Sequence, residues 1–194
     1  NFSHDPTQRD NQQLSLAHIA VERRMEERVA DKTVDVYSPD FICWLHQEFY
    51  THLPESLHWA ITTGGERYQI KPGCLRDFMV DVGRHTPPDF AALPKFLNRF
   101  HSFYGDSSIL ETERLVAIAA AHHRLAWIHP FGDGNGRVIR LQSQAQLIRH
   151  GVASHGLWTL SRGLARGRVR YYASLESADS SRRNDLDGRG NLSD

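Results

Sequence analysis

Apolar residues recur at steps of three and four through most of this chain, the pattern of helices that bury one face. Between residues 12 and 29, Leu14, Ala17, Val21 and Met25 share such a face. The polar stretch before them, residues 1–11, reads as a loop or a frayed end. Ser38-Pro39-Asp40 is a turn signal, and Asp40 is placed to cap a second helix running to about Leu53, with Ile42, Leu45, Phe49 and Leu53 inward. The helical period then breaks. From about residue 59 to 82, the turn signals Gly64-Gly65 and Pro72-Gly73 set off two β-rich or alternating runs, RYQI and FMVDVG. They predict a β-hairpin, with an irregular loop as the alternative. Helical spacing returns over residues 92–104 through Leu93, Phe96, Leu97, Phe100 and Tyr104. A further helix starts near Glu111, with Leu115, Ile118, Ala119, His122, Leu125 and Ala126 as its buried stripe. The loop at 130–135 ends it beside His129. The following helix turns Val138, Leu141, Ala145 and Ile148 inward and stops at Gly151. Residues 157–178 predict one or two more helices, and residues 181–194 a polar, turn-rich tail. The expected fold is all-α with one small β-hairpin.

A chain of 194 residues, 40% hydrophobic and 24% charged, has enough apolar material for one sizeable core. Its 23 basic and 23 acidic residues cancel, so no global field directs it to nucleic acid or to an anionic membrane. No apolar run is long enough to span a bilayer, and the start does not read as a signal peptide. Cys43 and Cys74 make neither a disulfide framework nor a metal pattern, so a reduced, cytoplasmic setting is expected. A start without Met suggests a fragment. His122 falls on an apolar helix face and reads as a satisfied core histidine. Arg162, Arg166, Arg168 and Arg170 form a local basic cluster. A solvated helix face accounts for it, and nucleic acid is not an expected partner.

The residues around 129–140 carry the chemistry. Gly134 and Gly136 let the backbone turn tightly and approach a ligand, and Asn135 tolerates a left-handed conformation. The loop runs straight into a helix N-terminus, where N–H groups and the dipole favour an anion. It is not a Walker A loop, because no Gly-Lys-Ser/Thr follows. Arg137 and Arg140, three apart, share a helical face and can fork onto a polyphosphate. Asp133 offers a hard carboxylate of the kind that holds Mg²⁺ beside phosphates. His129 supplies a group that titrates near neutral pH. Taken singly, each has a bland reading: a structural histidine at a helix end, a turn aspartate, a solvated arginine face. Together they suit phosphoryl or nucleotidyl transfer.

The run HPFGDGNGRVIR at 129–140 matches the pattern HPFx(D/E)GNGRxxR, and the chain resembles the Fic (Fido) family, in particular bacterial Fic-domain adenylyltransferases. WAITTGGERYQIKPGCLRDFMVDVGRHTPP is similar to that family's flap hairpin, with its Gly-x-x-Arg and Val-Gly-x-His-x-Pro-Pro signatures, and the region from Leu157 onward resembles many bacterial members. The resemblance implies a Fic domain over residues 40–194, preceded by a helical extension over 1–39. It implies a protein adenylyltransferase that moves AMP from Mg²⁺–ATP to a Ser, Thr or Tyr hydroxyl. His129 would be the base and Phe131 a buried anchor. Gly132 would lie on the ATP-binding loop. Asp133 would hold Mg²⁺; Gly134, Asn135 and Gly136 would form the anion nest. Arg137 would take the β-phosphate and Arg140 the γ-phosphate. Tyr171 or Tyr172 would line the adenine and ribose side. The flap, with Tyr68, Gln69, Ile70 and Arg76, would hold an unknown target protein by strand addition. Self-modification and a homo-oligomer stay open as partnerships. A different nucleotide donor, or a nucleotide-sensing module without turnover, is the alternative function. Many members carry an inhibitory Ser/Thr-x-x-x-Glu helix followed by Gly or Asn. Thr51–Glu55, Thr62–Glu66 and Ser107–Glu111 have the spacing, but none is followed by Gly or Asn.

Overall fold

A computed structural model describes residues 2–3, 5–62, 64–83, 85–152 and 158–180. The tail at 181–194 and the start of the region expected at 157 lie outside the described residues. The chain divides into two compact units, residues 1–153 and 154–194.

The first unit is built around α5, Asn135–Arg149, which packs against α1, α2 and α4. α1 spans Pro6–Ala30 and so begins about two turns before its apolar stripe at Leu14. The loop expected over residues 1–11 is corrected from residue 6 onward. Asp5 accepts from the Gln8 amide and Pro6 sits at the first helical position, which is a sufficient start signal. The stripe itself is as expected: Ala17, Val21, Met25 and Val29 are buried in the same core as α2 and α5. Arg149, at the end of α5, donates to the carbonyls of Lys32, Asp31 and Val29 and so ties down the end of α1.

α2 is Pro39–Thr51. Its cap is Ser38 rather than Asp40, because the Ser38 hydroxyl accepts from the Phe41 amide and Pro39 takes the first helical position. α3, Leu93–Tyr104, leads through a 3-10 turn at Glu111–Glu113 into α4, Arg114–Ile128. The buried face of α4 differs from the expected stripe. Leu115 and Ala119 are exposed, and Arg114, Ile118, Ala121, His122, Leu125 and Ile128 are buried. Arg114 can open this face because its guanidinium donates to the carbonyls of Asp106 and Ile109. α5 is buried around most of its circumference, including Gln142, Ser143, Gln144 and Gln146. His122 is the satisfied core histidine expected, with Nδ1 2.8 Å from the Ser143 hydroxyl.

The hairpin lies within the expected stretch 59–82, with a different pairing of its strands. β1, Trp59–Ile61, pairs antiparallel with β2, Arg67–Gln69, about the Gly64-Gly65 turn, so RYQI finds its partner before it in sequence. Gly65 has φ +83°, open to glycine at little cost. The second run, FMVDVG, carries only an isolated bridge from Val82 to His85. Cys43 and Cys74 are both free. The second unit holds α6, Leu160–Arg166, and α7, Arg168–Ala178, with Arg162, Arg166, Arg168 and Arg170 exposed. No helix among the described residues is long and apolar enough to cross a membrane.

Candidate active site

α4 and α5 meet at the loop 129–134, and the loop is held from three sides. His129 ends α4 in a left-handed conformation, φ 49° and ψ 62°. Among the described residues no other non-glycine has positive φ. Such a backbone persists only where neighbours over-determine it. Here Arg76 does so. Its Nε donates to the His129 carbonyl at 2.9 Å, and its own amide donates to the Pro130 carbonyl at 2.9 Å. Its other guanidinium nitrogens serve the Phe78 and Pro88 carbonyls.

Below the loop, Phe131 is fully buried and stacks on the His46 ring, centroids 4.0 Å apart and planes 9° apart. Asn135 closes a ring with the Phe131 backbone: its Oδ1 accepts from the Phe131 amide at 3.0 Å and its Nδ2 donates to the Phe131 carbonyl at 2.7 Å. Gly134 starts α5 with φ +78°, and no side chain caps that terminus. Its missing Cβ also leaves room for Tyr50, whose ring would lie 3.0 Å from one. At Gly132, a Cβ would stand 2.0 Å from the Tyr68 hydroxyl and 2.9 Å from the Phe78 ring. The flap thus rests on the loop backbone where a side chain would otherwise project.

The charged groups follow where the loop enters α5. Asp133 is exposed, and its carboxylate accepts from the Tyr50 hydroxyl at 2.9 Å. Arg137 lies over the Phe49 ring at 5.2 Å. A Cβ on Gly136 would lie 3.3 Å from Arg140 Nη1, so Arg140 folds back along the first turn of α5. Both arginines therefore lie beside the helix N-terminus, as their spacing predicted. Among the described residues no three His, Cys, Asp or Glu side chains are grouped to hold a metal. A single exposed carboxylate fits Mg²⁺, which keeps waters and takes phosphate oxygens, and does not fit a zinc cage.

Burial lowers the His129 pKa to about 4, with the Arg76 and His85 charges adding to it and a hydrogen bond to the Ala126 carbonyl opposing it. The ring is neutral near pH 7. His18, His46 and His122 are likewise brought to about 4, chiefly by burial. For His18 the Arg140 and Arg137 charges also contribute, so α1 sends a histidine toward the arginine pair. Burial raises Glu22 to about 7. The signs oppose. The four histidines bind fewer protons folded than unfolded, so their stability is present above their unfolded value of 6.5 and is lost as pH falls toward 4. Glu22 contributes stability below 4.5 that is lost as pH rises through 7. The histidines outnumber it, and each proton is worth about 1.4 kcal/mol per pH unit. Denaturant midpoints are therefore expected to fall steeply between about pH 6.5 and 4, with net proton uptake on unfolding. A flat profile across that range would contradict the buried, neutral histidines.

The structure assembles His129, Phe131, Gly132, Asp133, Gly134, Asn135, Gly136, Arg137 and Arg140 in one place. Of the flap residues, Gln69 is exposed and Tyr68 half-buried over Gly132, while Ile70 and Arg76 are buried. Arg76 thus acts on the loop from inside. Tyr171 and Tyr172 lie on α7 of the second unit, ring centroids 5.3 Å apart. The sequence reading missed His18, His46 and Tyr50. His46 and Tyr50 carry a visible signal, since each is one step beyond Leu45 and Phe49 on an otherwise apolar helix face.

The first unit is thus helical, with a neutral histidine at the end of α4, a helix N-terminus that no side chain caps, and a two-stranded hairpin over the loop between them. The sequence pattern of the Fic/DOC family matches residues 36–147, more than half of the chain, and the chain belongs to that family. It is similar to a protein adenylyltransferase Fic of Aedes aegypti, 38% identical over 82 residues, which are 42% of this chain and 16% of that protein. It is also similar to a protein adenylyltransferase fic-1 of Caenorhabditis elegans, 32% identical over 115 residues, 59% of this chain and 22% of that one. The matched stretches thus span less than a quarter of those relatives. A crystal structure of a Fic-domain-containing signalling protein from Bacteroides thetaiotaomicron shares the fold, with a TM-score of 0.62 at 22% identity over 88% of this chain and 58% of that chain.

Proposed function

We propose that this chain transfers AMP from Mg²⁺–ATP to a hydroxyl of another protein. The observation that carries the reading is the loop itself: a neutral, oriented imidazole at one end and an uncapped helix terminus with two arginines at the other. The reaction needs both. A nitrogen of the neutral His129 ring accepts the proton of the target hydroxyl as its oxygen bonds to the α-phosphorus. The α–β bridging bond breaks, and pyrophosphate leaves toward the α5 terminus, Arg137 and Arg140. Asp133 would hold Mg²⁺, which neutralises charge growing on the leaving phosphates. The flap, through Tyr68 and Gln69, would present the target segment. The names of the relatives support the donor, since both are adenylyltransferases.

Chelation tests the metal role. EDTA is expected to abolish transfer and added Mg²⁺ to restore it, read as the mass of a modified target. Transfer that is indifferent to EDTA would remove the metal from the scheme. A donor panel with UTP and nucleotide-linked phosphocholine in place of ATP is expected to leave the target unmodified. Efficient transfer from one of those donors would reassign it.

A further inference from the structure

His46 and Tyr50 stand one turn apart on α2, and both reach Asp133. His46 Nδ1 accepts from the Gly73 amide at 2.9 Å, so its hydrogen is on Nε2, which donates to the Asp133 carbonyl at 3.2 Å. The Tyr50 hydroxyl donates to Asp133 Oδ2 at 2.9 Å. The backbone and the carboxylate of one exposed residue are thus each gripped by a buried side chain of a rigid helix. Tyr50 itself has no room to swing. It is 1% exposed, its ring lies 4.7 Å from that of His46 and 5.4 Å from that of His58, and it lies against Gly134.

We propose that Tyr50 is a positioning residue that fixes the Asp133 carboxylate for the divalent cation, with His46 holding the backbone of the same residue. This rests on the adenylyltransferase reading. Mg²⁺ demands near-ideal octahedral geometry and takes few protein oxygens. An exposed aspartate free to change rotamer would meet that demand only part of the time. With Oδ2 held by the phenol, Oδ1 is the oxygen left to face the metal, and the carboxylate plane is set before the nucleotide arrives. Partners of metal ligands commonly tune metal affinity by ten- to a hundredfold. Tyr50→Phe keeps the ring in its packing and deletes only the donor.

The test uses Mn²⁺ as the probe, read by electron paramagnetic resonance with an ATP analogue whose α and β phosphorus atoms are joined by a methylene, so that no AMP can leave. Tyr50→Phe is expected to bind Mn²⁺ about tenfold more weakly, while metal-free binding of the analogue is unchanged. Should that variant fail to fold, His46→Gln serves instead. It removes the imidazole from the Asp133 carbonyl, leaves the carboxylate itself intact, and is expected to weaken Mn²⁺ in the same way. Unchanged Mn²⁺ affinity in a folded variant overturns the proposal, and so does an equal loss of metal-free binding, which would make Tyr50 merely structural. A wild-type chain that binds neither the analogue nor Mn²⁺ overturns the adenylyltransferase reading and this proposal with it.

Discussion

His129→Ala is expected to slow AMP transfer by about a hundred- to ten-thousand-fold, the usual cost of removing a general base, while ATP still binds. The two effects separate because they use different parts of the loop. In the proposed reading, binding draws on the α5 terminus, Arg137 and Arg140, whereas His129 lies at the other end of the loop, at the close of α4. Its ring is neutral near pH 7 because burial disfavours the charged form, so no proton must be shed before it can act. Its left-handed backbone is tied to Arg76 through the carbonyls of His129 and Pro130, neither of which depends on the imidazole. The variant should therefore keep the loop in place. Nucleotide affinity by calorimetry and transfer by intact mass check the split. Loss of both together would make His129 a structural residue, and loss of neither would remove it from the mechanism.

The second large effect is on stability. Phe131→Ala should cost about 3–5 kcal/mol, as is typical when a buried aromatic is truncated in a packed core. A domain of this size has about 5–15 kcal/mol in total, so the variant is expected to be marginal or unfolded at 37 °C. Phe131 is fully buried against His46, and its amide and carbonyl are both held by Asn135. Removing the ring leaves a void beneath the loop, and the remaining Asn135 bonds cannot fill it. A midpoint within about 1 kcal/mol of wild type, from chemical denaturation, would show that the loop relaxes into the space. Phe131→Leu, closer in volume, should recover much of the loss.

The motif was legible because its chemistry is local. A histidine, a carboxylate, three glycines and two arginines lie within twelve consecutive positions, so helix geometry alone brings them together. What was not legible depends on partners distant in sequence. His46 and Tyr50 meet Asp133 across 87 and 83 residues, and periodicity on α2 shows only that they are near its buried face. Sequence places Arg76 on the flap but does not show that its guanidinium reaches the His129, Phe78 and Pro88 carbonyls. The stripe on α4 was rotated because apolar pattern alone favoured Leu115 and Ala119, and a loop rich in carbonyls buried Arg114 instead. On α5 a single inward face was expected, yet Gln142 is buried and donates to Val36 across 106 residues. Polar residues on a central helix hide its position, because binary patterning assumes a solvent side. The hairpin was found but misaligned, since both turn signals were plausible and only the Gly64-Gly65 turn closes a ladder.

The central claim is that the α-phosphoryl group, with its nucleoside, moves to protein. It is tested most directly by incubating the chain with Mg²⁺ and ATP labelled in either the α- or the γ-phosphate, alone and with a cell lysate. The account predicts protein-bound label from the α-labelled donor, on the chain or on a lysate protein, lost in His129→Ala and absent with the γ-labelled donor. Label from the γ-position would make the chain a kinase, and no label from either donor, in a sample that binds ATP, would contradict the transfer altogether.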